Sequence, residues 1–378
     1  MAPPEARPDQ GAGGGERLLL VNAGSSSTKV SVVAGDQVAH QATLGPPGDP
    51  GVDDHLRGVL ARFPPAASGH RVVHGGDHFA GPVVVGDEVE ARLRALAELA
   101  PLHNPPGLAL LDRVRDLAPG LPAVACFDTT FFADLPASAA TFALPPAWRQ
   151  LGVRRYGFHG LSHAWACERV GVLTGGPAGR TVSAHLGAGA SLAAVHNGRA
   201  VDTTMGFTPL DGLVMATRSG QVDPGAVTFV LRHTGASVDE VEDLLETGSG
   251  LVGLAGTGDL RRVIAEADRG RAEAALAWAV YLHRLRSGVG AMAASLGGLD
   301  TLVFTGGAGE ASARLRREAC AGLAFLGVAV DPASNEEGRG DRLVSPAAAA
   351  VAVAVVAARE DLEMARQVRH ALAATPGR

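Results

Sequence analysis

The stretch RLLLVNAGSSSTKVSVV, residues 17–33, decides how this chain is read. An apolar run over residues 17–22 breaks into small polar residues at 23–27, and alternation resumes over 28–33: strand, polar turn, strand. The pattern returns at residues 181–185 and 191–196, joined by a glycine-rich turn at 187–190. Two copies of a strand–turn–strand unit hint at two related halves.

Outward from these units, residues 34–69 are rich in Gly, Pro and Asp and carry little pattern. Helical spacing over 89–100 stops at Pro101. A second helix is expected over 107–117, then a strand at 123–127 that ends on Asp128. Beyond Asp128, strands and helices interleave. A long Ala-rich helix is expected over 271–296, and a buried strand at 301–304 runs into a glycine turn at 306–309. A helix over 312–323, a Val/Ala strand within 351–358 and a last helix over 359–373 follow. Alternating strands and helices place the chain in the α/β class. Residues 1–16, rich in Pro, Gly and charge, read as a disordered extension.

At 378 residues, with 46% apolar and 19% charged side chains, the chain is long enough for two or three packed domains. A net charge of −6 and the lack of a basic block argue against a nucleic-acid partner that releases counterions. No segment reads as a membrane span. Cys126, Cys167 and Cys320 are odd in number and far apart, a pattern that fits a reducing cytoplasm rather than a disulfide framework or a zinc site. Of the 33 basic residues, one is lysine: Lys29, at the end of the serine turn. A compact ammonium beside small residues suits a phosphate.

Further blocks carry chemistry. Arg71 leads an apolar pair into a double-glycine turn bearing His70, His74 and His78; the glycines break any helix that would align three imidazoles on a metal. His159 lies between Gly157 and Gly160, at a turn facing a cleft, whereas His163 reads as a core or capping histidine. Two glycine turns, at 187–190 and 306–309, stand at strand ends, where open α/β sheets contact nucleotides. Arg218, in Thr-Arg-Ser-Gly, is expected to point into a cleft rather than into solvent.

In order, the blocks VNAGSSSTK, HRVVHGGDHF, LAPLHNPP, CFDTTFF, RRYGFHGLSH, HLGAGAS, DTTMGFTPLDGLVMATRSG and FTGGAGE resemble the acetokinase family, within the superfamily of sugar kinases, heat-shock chaperones and actin. The resemblance runs from Leu18 to about Arg366. It implies two ribonuclease-H-like (actin-like ATPase) domains around a cleft, residues 17–128 plus 361–378 and residues 129–360. It also implies reversible, Mg²⁺- or Mn²⁺-dependent phosphoryl transfer from ATP to acetate, giving ADP and acetyl phosphate, in a cytoplasmic homodimer. Alternatives are a propionate or other short-chain acyl kinase and a catalytically weakened actin-like nucleotide-binding protein.

By the same resemblance Arg71, Arg218, His159 and Asp128 are catalytic, and Asn22 and Glu360 lie around the metal. Ser25, Ser27, Lys29, His185, Gly187, Gly189, Asp259, Leu260, Arg261, Gly307, Gly309 and Glu310 line the nucleotide site. Val73, Leu102, Phe158 and Pro209, with Arg71, enclose the acid. The chain departs from the family pattern at Ala188, Ala308 and Ala311 and at Ala358–Arg359, and the segment from Lys29 to Arg71 is short.

Overall fold

A computed structural model of the chain describes residues 16–24, 27–99 and 104–374. Ser25, Leu102 and all but the last residue of the expected N-terminal extension lie outside the described residues. The first sheet contains β1 (Arg17–Ala23), β2 (Thr28–Ala34), β3 (Gln37–Leu44), β4 (Ala67–Val72), β5 (Val83–Val84) and β6 (Ala123–Phe127), in the order β3-β2-β1-β4-β6-β5. The second contains β7 (Arg180–Leu186), β8 (Ala190–His196), β9 (Arg199–Thr203), β10 (Thr301–Thr305), β11 (Arg342–Leu343) and β12 (Ala352–Val355). Read from the far edge, its order is β9-β8-β7-β10-β12-β11.

The two orders are the same. In each sheet an antiparallel three-strand meander is followed by two parallel strands and a short antiparallel edge. The fold is mixed α/β with two copies of one topology. Burial explains the strand sequences. β6 and β10 are buried at every residue, so AVACF and TLVFT are unbroken apolar or small runs, as parallel strands covered on both faces require. β3 is an edge strand whose burial alternates residue by residue.

Three expectations change. Residues 34–69 hold β3, a helix at Pro50–Arg62 and the start of β4. The glycine stretch 306–309 is the first turn of a short helix, Gly306–Ala311, rather than a loop. The second hairpin is a three-strand meander, because Asn197 and Gly198 take left-handed φ values of 49° and 82° and return the chain along β9.

Helix Glu360–Ala374 lies on the first sheet. Its Met364, Ala365, Val368 and Ala371 pack with Leu18, Leu20, Val124 and Cys126. The chain therefore leaves the second sheet after β12 and enters the first through Glu360.

Buried imidazoles make the fold acid-sensitive. Burial, reinforced by Arg115, holds His70 down at about 3, and burial holds His74 at about 4, partly offset by Asp77. The unfolded chain takes up these protons below an ordinary value of 6.5, the folded chain only near pH 3–4. In that window the unfolded state binds more protons, so stability falls as pH drops, by about 1.4 kcal/mol per unit for each such histidine. Thermal melts between pH 7 and 4 should show a falling midpoint; a constant or rising one would contradict the burial of these rings.

Candidate active site

The parallel strands of both sheets deliver their carboxyl ends to one cleft, the place where open α/β sheets bind ligands. From the first sheet come Asn22 on β1, Arg71 on β4 and Asp128 immediately after β6. From the second come His185 on β7, Gly306 after β10 and, beyond β12, Glu360.

Arg71 is the hub. Its Nε donates to Asp128 Oδ1 at 2.9 Å and its Nη2 to Oδ2 at 2.5 Å, a bidentate pair whose side chains are 15% and 2% exposed. Its Nη1 donates to Asn22 Oδ1 at 3.1 Å, and Asn22 Nδ2 donates to Glu360 Oε2 at 2.7 Å. Burial opposes the Arg71 cation, but Asp128 and Glu360 outweigh it and raise its pKa. Burial likewise lifts the Glu360 carboxyl, yet Arg71, His185, Lys29 and the Asn22 amide more than compensate, so Glu360 sits below its ordinary value. The cleft thus holds an ionised carboxylate beside a cation that cannot lose its proton. Both Asp128 oxygens are committed to Arg71, so Asp128 acts on that guanidinium.

His159 closes the other side. It has left-handed backbone, φ 60°, an uncommon conformation for a residue with a Cβ that costs about 1–2 kcal/mol. Its neighbours hold it there. Gly160 N donates to Asp128 O at 2.9 Å, and a Cβ on Gly160 would lie 2.1 Å from that oxygen, so no larger residue fits. Burial, then the fields of His185, His163, Arg218 and Arg71, hold the ring well below its ordinary pKa, so His159 is a neutral imidazole. It stacks on His185 with centroids 4.4 Å apart.

Arg218 Nη1 donates to Pro209 O at 2.7 Å, and its Nε lies 3.7 Å from Glu246 Oε2. Burial lowers its pKa; Glu246 supports the charge and Arg71 opposes it, so the two guanidinium groups feel each other across the cleft. Above Gly189, a Cβ would stand 3.0 Å from Arg218 Nη2 and 3.2 Å from His159 Nε2. Cation and imidazole converge over a residue with no side chain.

Two adjoining cavities extend from here. One, of about 330 Å³, is lined by Asn22, Lys29, His185, Gly187, Gly307 and Glu360. The other, of about 540 Å³, shares Gly187, Ala188 and Gly307 and runs on to Asp259, Leu260, Arg261 and Ile264. The first is polar and charged, and the second has apolar walls, including Ala308 and Ala311. Val73 and Phe158 are buried in one cluster, and Pro209 meets Arg218. Ser27 O accepts from Gly24 N at 2.8 Å within the serine turn.

Gly309 and Glu310 face inward instead. Gly309 packs against Leu186 and Phe304, its carbonyl accepts from the buried Arg316, and Glu310 Oε1 accepts from Ala358 N at 3.0 Å. They shape the short helix beneath the cleft. Sequence reading missed Glu246, Arg316 and Ser162, the last hydrogen-bonded to His185 Nδ1 at 2.7 Å; only Ser162, one turn into the RRYGFHGLSH block, carried a local signal.

The family model described as the acetokinase family matches residues 65–366. A protein named acetate kinase from Clavibacter michiganensis subsp. michiganensis is 44% identical, the match covering 95% of this chain and 99% of the relative. Among solved structures, the acetate kinase of Porphyromonas gingivalis superposes with a TM-score of 0.86 at 34% identity, covering 94% of this chain and 100% of the other. A propionate kinase from Francisella tularensis subsp. tularensis gives a TM-score of 0.86 at 32% identity, with 93% and 98% coverage.

Proposed function

The chain belongs to the acetokinase family, and on that premise we propose that it is an acetate kinase, transferring the γ-phosphoryl group of ATP reversibly and in line to acetate to give acetyl phosphate and ADP. The observation that carries this reading is the convergence of Arg71, Arg218 and neutral His159 on one cleft. A short carboxylic acid has a pKa of about 4–5, so at neutral pH it is an anion that needs no general base. The barrier lies in bringing that anion to an anionic phosphate and in bearing the charge spread over the transferring group. Both are electrostatic and positional problems.

The two guanidinium groups neutralise the acceptor and the phosphoryl oxygens. His159 offers a neutral N–H donor, which stabilises those oxygens without adding a third buried cation. Lys29 and the glycines at 187 and 307 accompany the phosphates, and the apolar-walled cavity by Leu260 takes the nucleoside. Glu360, ionised and facing the phosphate cavity, fits Mg²⁺, which takes hard oxygen ligands and keeps several waters. Asn22, whose amide joins Arg71 to Glu360, orients that carboxylate. When bound, Mg²⁺ (or Mn²⁺) would neutralise phosphate charge.

Val73, Phe158 and Pro209 bound the acyl group. The propionate kinase relative, superposing as well as the acetate kinase, favours a second reading in which the longer acid is preferred. One methylene is worth about 1–3 kcal/mol in an apolar pocket, so the preference is graded. Hydroxylamine should trap acyl hydroxamate only when ATP, Mg²⁺ and a C2–C4 acid are all present, and rates across the acids rank them. No hydroxamate with any of the three would overturn the reading.

We also propose a cytoplasmic homodimer. The three thiols are free and buried, which suits a reducing compartment. Helix Pro224–Thr234 has no buried residue, and Phe229, Val230, Val238 and Leu244 expose an apolar face on it and on helix Val238–Thr247. Light scattering should give twice the chain mass, and Phe229→Asp should shift it to the monomer. A monomeric parent would refute the dimer.

A further inference from the structure

Behind His159 lies a chain of side chains with no part in the transfer described above. His159 Nδ1 is hydrogen-bonded to Ser191 Oγ at 2.9 Å, and Ser191 Oγ to His163 Nε2 at 2.8 Å. His163 Nδ1 meets Ser183 Oγ at 2.9 Å. Ser183, His163 and Ser191 are fully buried, so water does not complete their hydrogen bonds. Each serine has one proton, and each neutral imidazole has one N–H. Among the described residues Ser191 Oγ meets only these two imidazoles, so an arrangement in which both donate to it would strand its buried proton. Two states strand none: every proton points toward the cleft, or every proton points away.

The far end breaks the tie. Ser183 also meets the Cys167 thiol, which burial pushes up to about 12, so it remains S–H. If the chain pointed away, Ser183 would spend its proton on sulfur, a weak acceptor. Pointing inward, it donates to the imidazole nitrogen of His163, a better one. His163 Nε2–H then donates to Ser191, and Ser191 donates to His159 Nδ1. The remaining His159 proton sits on Nε2, the atom beside Arg218 above Gly189. His185 repeats the device on a smaller scale, with its Nδ1 tied to the hydroxyl of Ser162.

We propose that Ser191, backed by His163 and Ser183, is a positioning residue that fixes His159 as its Nε2–H tautomer, so that the cleft always meets a hydrogen-bond donor. Phosphoryl and carboxylate oxygens only accept, so a His159 with the opposite tautomer would present a lone pair to an anion. The inference rests on the proposed role of His159 toward the phosphoryl group, and it adds what sets that role.

The test is long-range ¹H–¹⁵N NMR of the full-length enzyme labelled at histidine, with His159→Gln assigning the resonances, alongside steady-state kinetics. The parent should show Nε2–H at His159. Ser191→Ala should mix or invert the tautomer and lower kcat at least tenfold, with KM for the acid within about twofold. Ser183→Ala leaves Ser191 in place and should shift the tautomer in the same direction with a smaller loss, which keeps the test decisive if Ser191→Ala fails to fold. An Nδ1–H parent, or an unchanged tautomer in both variants, would overturn the proposal. An active enzyme with the wrong tautomer defeats this inference alone; a folded enzyme that phosphorylates no acid defeats the functional reading whatever the tautomer.

Discussion

Arg218→Ala should lower kcat by about 1,000-fold while leaving the melting temperature nearly unchanged. An arginine that meets a transferring phosphoryl group contributes on that scale, because it acts where charge develops rather than where substrate first binds. The structure separates this role from a stabilising one. Among the described residues, the Arg218 side chain makes one hydrogen bond, to Pro209 O, and a 3.7 Å contact with Glu246. Burial already disfavours its charge, so removal relieves a desolvation cost and strands no bidentate partner. The loss should fall on kcat and kcat/KM together. A variant that loses stability instead, or that raises KM alone, would place Arg218 outside the transferring group's shell.

Asp128→Ala should do the opposite in kind, damaging stability and turnover at once. It leaves the Arg71 guanidinium in a site where its side chain is 15% exposed and two of its hydrogen bonds are gone. Breaking a buried ion pair from one side costs about 3–5 kcal/mol, because the remaining charge is uncompensated. Arg71 would turn toward Glu360, its other close negative charge, and away from the position that a carboxylate acceptor needs. Calorimetry should show a drop of roughly 10 °C in the melting transition, with kcat lower by about 100-fold or more. Asp128→Asn, which keeps the volume and one acceptor, should recover part of the stability but little of the rate. Equal stability in all three proteins would mean that the pair is not buried as described.

The sequence carried the central strands and the cleft more clearly than their supports. Residues 17–33 and the later glycine turn spelled out the strand–turn–strand units because those strands are buried on both faces and their turns are made of small residues. β3 was illegible for the converse reason: an edge strand with His40, Gln41 and Thr43 has little apolar contrast. The helix after it did announce itself. Asp49 caps it by accepting from Gly51 N at 2.7 Å, and Pro50 stands at its first position, a signature masked by the surrounding Gly and Pro. Asn197–Gly198 was likewise a hairpin signal in plain view.

At the site, His159 and Arg218 could be picked out locally by their small or glycine neighbours, whereas Arg71, between His70 and Val72, stands out only through the family resemblance. The Asn22–Glu360 contact joins residues 338 apart, and the serine that holds His159 lies 32 residues away. Such pairings exist only once the two sheets face each other, so spacing along the chain could not reveal them.

The most direct test of the account is a crystal structure with Mg²⁺, ADP, acetate and aluminium fluoride, which stands in for the phosphoryl group in flight. The guanidinium groups of Arg71 and Arg218 and the Nε2 of His159 should all lie within hydrogen-bonding distance of the fluoride or acetate atoms, between ADP and the acid. A fluoride complex bound elsewhere, or one with the two arginines turned away from it, would contradict the account.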